Sequence, residues 1–297
     1  VAEPPTTTRA FSFTSDGTYV VWGDRVSKGV YRVNIGGGGK VTMAEDASFD
    51  TLQDAIYWPM SAANGTVAWL SGTKVWTAAI ATANSGKAFP FTFPAGNGLY
   101  NLALDTSATH AAVMLSVDSG GGFPNFALYD CTLSGTTCVN PGTFTYFPQG
   151  AVGSATNFYF PDLGDNTIYI HKFGSLNYAP QATGQPSPAL IALDSKNLYW
   201  INEGSPVQLM KMPILGGTIA PLVSSFPGTS AFPLGLASDG TNVYFTLSGS
   251  PPTVYYVPVG GGTLTPLATG SNISTVIAVG GKVLWLDGDG IYGIAAP

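Results

Sequence analysis

Charge is what this sequence has least of. Asp, Glu, Lys and Arg together make up 9% of its 297 residues, where about 25% is usual. Eleven basic side chains against 17 acidic ones give a formal net charge of −6. The Lys/Arg patch that would neutralise phosphates is therefore missing, which excludes nucleic acid as a partner. Histidine is reduced to His110 and His171, leaving little for acid–base or zinc chemistry near neutral pH. No apolar run approaches the roughly 18 residues of a membrane helix, so no transmembrane segment is expected. No GxSxG, HExxH, P-loop or dinucleotide fingerprint occurs either.

What the sequence does contain is glycine (38), proline (22) and many Thr and Ser residues. That mixture disfavours long helices and suits short strands joined by turns. The strands recur as a unit. LIALDS, then NLYW, then LMKMPI and Gly-Gly, is followed about 45 residues on by LGLASD, NVYF, VYYVPV and Gly-Gly-Gly.

The aromatic or long apolar residue that closes the second strand marks each unit: Trp22, Trp69, Met114, Phe160, Trp200, Phe245 and Trp285. Neighbouring markers lie 47, 45, 46, 40, 45 and 40 residues apart, close to the roughly 40–45 residues of a four-stranded propeller blade. The spacing predicts an all-β, seven-bladed β-propeller of four-stranded antiparallel blades, as a single domain over residues 1–297. Small residues in mid-strand (Ala103, Gly153, Ala192, Gly235, Ala278) suit inner strands that crowd together. Unit 7 stops before a fourth strand, and Ala2–Thr8 precedes the first inner strand without a partner. The N-terminal stretch is therefore expected to supply the outer strand of the seventh blade; its prolines suit an edge position.

Four tetrapeptides carry a resemblance: Val21-Trp-Gly-Asp24, Tyr159-Phe-Pro-Asp162, Tyr199-Trp-Ile-Asn202 and Leu284-Trp-Leu-Asp287. They resemble the YWTD motif of low-density-lipoprotein-receptor-type propellers. Together with the trailing Gly-Gly-Thr turns, the chain resembles secreted bacterial propellers related to YWTD, NHL and streptogramin-lyase repeats. The resemblance covers the whole chain and implies the fold. YWTD propellers usually have six blades, whereas seven units are counted here. Streptogramin lyases use a histidine, acidic residues and a bound metal, and their motif has no counterpart here that can be placed residue by residue.

In a four-stranded meander the loop from strand two to strand three opens on the same end as the link between blades. The residues two past each marker, Asp24, Ser71, Ser116, Asp162, Asn202, Leu247 and Asp287, belong to that end, with Glu203, Asp165 and Asp289 nearby. One reading makes Asp24, Asp162, Asn202, Glu203 and Asp287 a ligand-binding set. On it, their oxygens serve a polyhydroxy ligand or a Ca2+ or other divalent cation, since hard cations want several oxygen donors. The other has each Asp or Asn accept from its own loop amides, as such residues do in turns. Asp287-Gly-Asp-Gly290 has the look of a calcium loop but lacks the later ligands and terminal Glu.

Cys131 and Cys138 flank a six-residue turn, a spacing that fits a cross-hairpin disulfide and an oxidising compartment. Val1-Ala2-Glu3-Pro4 is compatible with a mature end after leader cleavage. These readings lead to a secreted, extracellular, cell-surface or periplasmic monomer. Its expected role is non-enzymatic binding of a protein or glycan partner at the propeller surface, without an obligatory cofactor. A carbohydrate-binding propeller would use exposed aromatics, for which Trp58, Trp76 and Tyr100 are the candidates; packing within blades is their alternative role. A metal-assisted lyase or hydrolase with carboxylate ligands is the third possibility.

Overall fold

The computed structural model describes residues 10–24, 27–45, 59–71, 74–94, 98–117, 125–144, 150–227, 232–288 and 290–297. Their regular structure consists of strands, with no helix among the described residues. The strands form seven antiparallel sheets in succession, over residues 10–45, 60–88, 98–144, 152–182, 188–223, 233–269 and 273–295. Six are four-stranded meanders and the seventh shows three strands among the described residues. The chain is a seven-bladed β-propeller, and all seven markers fall inside the second strands, from Trp22 in Tyr19–Asp24 to Trp285 in Lys282–Asp287. The segment expected to close the seventh blade, residues 2–8, lies outside the described residues.

Two units divide the chain by contact. One comprises residues 1–147, 151–159 and 170–179; the other comprises 148–150, 160–169 and 180–297. Within each, the second strands have their apolar residues buried on both faces: in Asn197–Asn202 five of six residues are buried, and in Asn242–Leu247 all six are. A strand covered on both faces reads as a continuous apolar run, not an alternating one. That explains why NLYW and NVYF stood out. Third strands are mixed, as in Gln208–Pro213, whose pattern of buried and open positions follows an outer location.

Local chemistry closes the turn between first and second strands. The Oδ1 of Asp194 accepts from the amides of Lys196 (2.7 Å) and Asn197 (2.8 Å), and that of Asp239 from Thr241 (2.8 Å) and Asn242 (2.7 Å). In blade 1 Asp16 does the same for Thr18 and Tyr19, at 2.9 Å each. Such short side chains satisfy turn amides that no ladder reaches. Cross-strand pairs then fix the second strand on the third. Trp22 packs on Tyr31 (5.9 Å between ring centroids), Trp69 on Trp76 (6.2 Å), Phe245 on Tyr255 (5.9 Å) and Trp285 on Tyr292 (6.4 Å). Each such pair adds about 0.5–1.5 kcal/mol beyond area burial.

Blades meet through their inner strands, where Cβ-free positions matter. A Cβ on Gly153 would sit 2.8 Å from the Cα of Asp105 and closer still to the Leu104 carbonyl in the preceding blade. One on Gly235 would lie 2.8 Å from the amide nitrogen of Val276. Two of the small residues picked out in mid-strand are therefore at backbone-to-backbone contacts that leave no room for a side chain.

Candidate functional site

The second-to-third loops begin at the end of the central strands, so their first residues inherit burial from the blade. Asp24, Asp162 and Asn202 are buried, with 0%, 1% and 2% of their surface exposed. Burial of a polar group is tolerated when it is hydrogen-bonded, and these groups are held by their own surroundings. Asp24 Oδ1 accepts from the Ser27 amide at 3.2 Å. Asp162 Oδ1 accepts from Gly164 at 2.9 Å and from Asp165 at 3.5 Å. Burial holds the Asp162 carboxyl above the usual carboxylate range; the Gly164 amide opposes this and the nearby charge of Asp165 adds to it. Asp165 itself accepts from the Tyr169 hydroxyl.

Asp287 is engaged by the loop that precedes its blade. Its Oδ1 accepts from the amides of Ser271 (3.1 Å) and Asn272 (2.7 Å) and from the Ser271 hydroxyl (3.2 Å). Gly270 lies so close that any Cβ there would collide with the Asp287 carboxylate. The calcium-like Asp-Gly-Asp-Gly stretch thus begins with a carboxylate already enclosed by backbone donors; Asp289 lies outside the described residues. Among the described residues no group of three or more His, Cys, Asp or Glu side chains is placed to hold a metal ion.

Blade 5 and the loop of blade 4 form the most connected polar region. Trp200 Nε1 donates to Asn202 Oδ1 at 3.0 Å, and Asn202 Nδ2 donates to Gln185 Oε1 at 3.2 Å. The Gln185 amide donates to the Asn166 carbonyl (2.8 Å) and the Ser187 amide to Asn166 Oδ1 (2.9 Å). The Glu203 amide donates to the Ser187 carbonyl at 2.9 Å. The crossover 183–187 therefore ties the Asp162–Asn166 loop to Asn202 and Glu203. Three of the five sequence-designated residues, Asp162, Asn202 and Glu203, come together in this way, whereas Asp24 and Asp287 sit in loops of their own.

Glu203 differs from the others. Its carboxyl is also pushed up, and burial is the cause, with no hydrogen bond lowering it. A partly desolvated carboxylate without compensating donors is costly in the free protein. Gln185, which holds Asn202 in place, carried no signal in the sequence: a lone Gln in a Pro- and Gly-rich crossover has no periodicity to betray its burial.

The histidines are engaged in packing. His171 is fully buried, with Nε2 3.1 Å from Asp130 Oδ2 and Nδ1 3.1 Å from the Asn177 carbonyl. His110 stacks on Phe173 with ring centroids 4.7 Å apart, its Nδ1 3.2 Å from the Thr109 hydroxyl. Of the aromatics proposed for sugar stacking, Trp76 is half-buried against Trp69. Trp58 and the side chain of Tyr100 lie outside the described residues. Cys131 and Cys138 form the expected disulfide. No helix among the described residues is long and apolar enough to cross a membrane; with the disulfide, this is compatible with a secreted protein.

With this geometry in place, the chain was compared with known proteins. No family model matches it, and no curated protein sequence does. Solved structures do. Virginiamycin B lyase from Staphylococcus aureus superposes with a TM-score of 0.73 at 14% identity, over 100% of this chain and 98% of that one. An oligogalacturonate lyase in complex with manganese gives 0.73 at 13% identity, over 97% and 89%. A propeller in the nidogen–laminin complex gives 0.56 at 16% identity, over 72% and 82%. The likeness is one of fold. The two lyases match over nearly the whole chain and the nidogen–laminin structure over less of it, but at these identities only the fold is shared and activity must be argued from this chain's own residues.

Proposed function

We propose that this chain is a secreted, monomeric, non-enzymatic binding propeller. It engages a protein or glycan partner through the second-to-third loops of blades 4 and 5. The observation that carries this reading is the contrast between Glu203 and its neighbours. The Oδ1 atoms of Asp24, Asp162 and Asp287 accept from loop amides and that of Asn202 from the Trp200 indole, while the Glu203 carboxyl is raised by burial alone. A carboxylate left under-solvated by its own protein is suited to hydroxyl, ammonium or guanidinium donors brought by a partner. Asn202 and Gln185 hold the loop in position for that contact. Support for binding over catalysis comes from the histidines, both of which are packed against aromatic rings.

The experiment is a screen of the immobilised full chain against a glycan array and a panel of extracellular proteins, with product release followed in parallel. The expected result is retention of a partner without product, weakened at least about tenfold by Glu203→Ala, a loss of about 1.4 kcal/mol. Product formation from any retained glycan, or binding indifferent to the substitution, would contradict the reading. In the first case the metal-assisted lyase becomes the better account, and adding Ca2+ or Mn2+ to the same assay tests it.

A further inference from the structure

Blades 5, 6 and 7 end their crossovers in the same way. The residue just before the inner strand accepts, through its carbonyl, from the amide of the residue just after the second strand. Ser187 accepts from Glu203 (2.9 Å), Phe232 from Ser248 (2.8 Å) and Asn272 from Gly288 (3.1 Å). Two of these three crossover residues are polar. Phe232 is not, and it is 68% exposed. A lone apolar side chain on a surface is ordinary, but this one is fixed at both of its backbone groups. Its amide donates to Ser248 Oγ at 2.7 Å, while its carbonyl takes the Ser248 amide. Glu203 is anchored in a similar way, because the Gly204 amide that follows it donates to the Pro186 carbonyl at 3.1 Å.

The inner strands Pro188–Leu193 and Pro233–Ser238 lie side by side, with Cα atoms within 8 Å of each other. Both start at the end where the second strand finishes, since Pro188 pairs with Asn202 and Pro233 with Leu247. Phe232 and the Ser187–Glu203 bridge therefore stand on adjoining blades at one end of the strands. The loops at this end of blades 4 to 6, residues 162–166, 183–187, 202–207 and 247–252, contain Asp162, Asp165 and Glu203 and no Lys, Arg or His. Their combined field favours a cation. Burial raises the Glu203 carboxyl, and a permanent cation offsets the cost of its ionisation where a neutral hydroxyl does not.

We propose that the partner's contact group at this site is an arginine side chain, paired with Glu203 and stacked on Phe232. It rests on the binding role of Glu203 proposed above and narrows the partner to a protein that presents arginine. A guanidinium is planar and always charged, so it can donate two parallel hydrogen bonds to a carboxylate and lie flat on an aromatic face. An ammonium offers a point charge without that plane. Because Glu203 and Phe232 are both held by backbone bonds in the free chain, little ordering remains to be done when the arginine arrives.

The test is an NMR titration of the isotope-labelled full chain with N-acetyl-arginine amide, using the lysine and citrulline amides as controls. Citrulline keeps the shape of arginine without its charge. The arginine probe should bind saturably and shift the amides of residues 203–205 and 232. Its affinity should fall at least about tenfold in Glu203→Gln and about threefold in Phe232→Ala. The lysine probe should bind more weakly and lose less in Phe232→Ala. Phe232 is exposed, so the melting temperature of Phe232→Ala should match the parent. No saturable binding of the arginine probe, citrulline bound as tightly as arginine, or an arginine affinity unchanged by Phe232→Ala would overturn the proposal. So would a retained glycan weakened by Glu203→Ala, which would leave the binding role of Glu203 standing. A retained partner indifferent to Glu203→Ala would remove that role and the proposal with it.

Discussion

The Tyr244 hydroxyl donates to Asp239 Oδ2 at 2.8 Å, and the equivalent pair one blade earlier is Tyr199 and Asp194 at 2.7 Å. In each, one carboxylate oxygen closes the turn while the other receives the phenol of the central strand. Burial and the Asp239 hydrogen bond push the Tyr244 phenol up to about 12, and burial and Asp194 push Tyr199 up as well. Asp194 moves the opposite way: burial alone would raise it, but the Tyr199 hydroxyl and the turn amides hold it below the usual range.

This predicts instability in base. A phenol whose pKa is raised on folding contributes stability fully present below its unfolded value near 10 and lost as pH rises through about 12. The melting temperature should fall steeply across that window. Tyr244→Phe should be less stable at neutral pH by about 1.5–3 kcal/mol, the cost of a lost hydrogen bond to a charged group, and should show a shallower alkaline decline. An unchanged alkaline slope would refute the assignment.

Glu203 predicts the reverse sign for a carboxyl. Its proton is held more tightly in the folded state, so its ionisation costs stability as pH rises through the carboxylate range, and below about pH 4 the cost is gone. Glu203→Gln should stabilise the chain at pH 7 by a few tenths to about 1 kcal/mol, discounted for its partial exposure. The gain should vanish near pH 3. Thermal melts of both proteins at the two pH values decide it.

The blade contacts predict a sharp difference among glycines. Gly153→Ala and Gly235→Ala force a Cβ into the backbone of the neighbouring inner strand and should cost more than about 3 kcal/mol, the range of severe overpacking. Gly260→Ala meets nothing within 4 Å and should be neutral or slightly stabilising. Equal melting temperatures for all three would contradict the packing described.

Gly270→Ala offers a separate check on the Asp287 loop. The new methyl collides with the carboxylate that Ser271 and Asn272 hold. A loss of about 2 kcal/mol or more is expected, with faster exchange at the amides of Ser271 and Asn272. A variant as stable as the parent, with those amides still protected, would show that the carboxylate is free to turn elsewhere.

The architecture was legible because the period held through all seven units and the local chemistry agreed with it in most of them. The markers Trp22 to Trp285 and the small inner-strand residues such as Gly153 and Gly235 each repeat what the backbone requires locally. Cys131 and Cys138 were equally readable, since six residues between them leave few other hairpin registers. The site was harder. For Asp162 and Asn202 the sequence offered two readings, open ligands or acceptors for their own loop, because position places them at a loop mouth but names no donors. The fold identifies the partners: Gly164 for Asp162, and Trp200 and Gln185 for Asn202. The importance of Glu203 rests on burial without a described donor, and Asp130 with His171 joins residues 41 apart in the sequence. No local pattern announces either.

The most direct measurement for the central claim is a hydrogen-exchange footprint of the full chain with the partner retained in the screen. The account predicts added protection concentrated at residues 183–187 and 202–206, and its absence when Glu203→Ala is used at the same partner concentration. Protection elsewhere in the chain, with 202–206 exchanging as in the free protein, would place the binding surface outside the blade 4 and blade 5 loops and contradict the account.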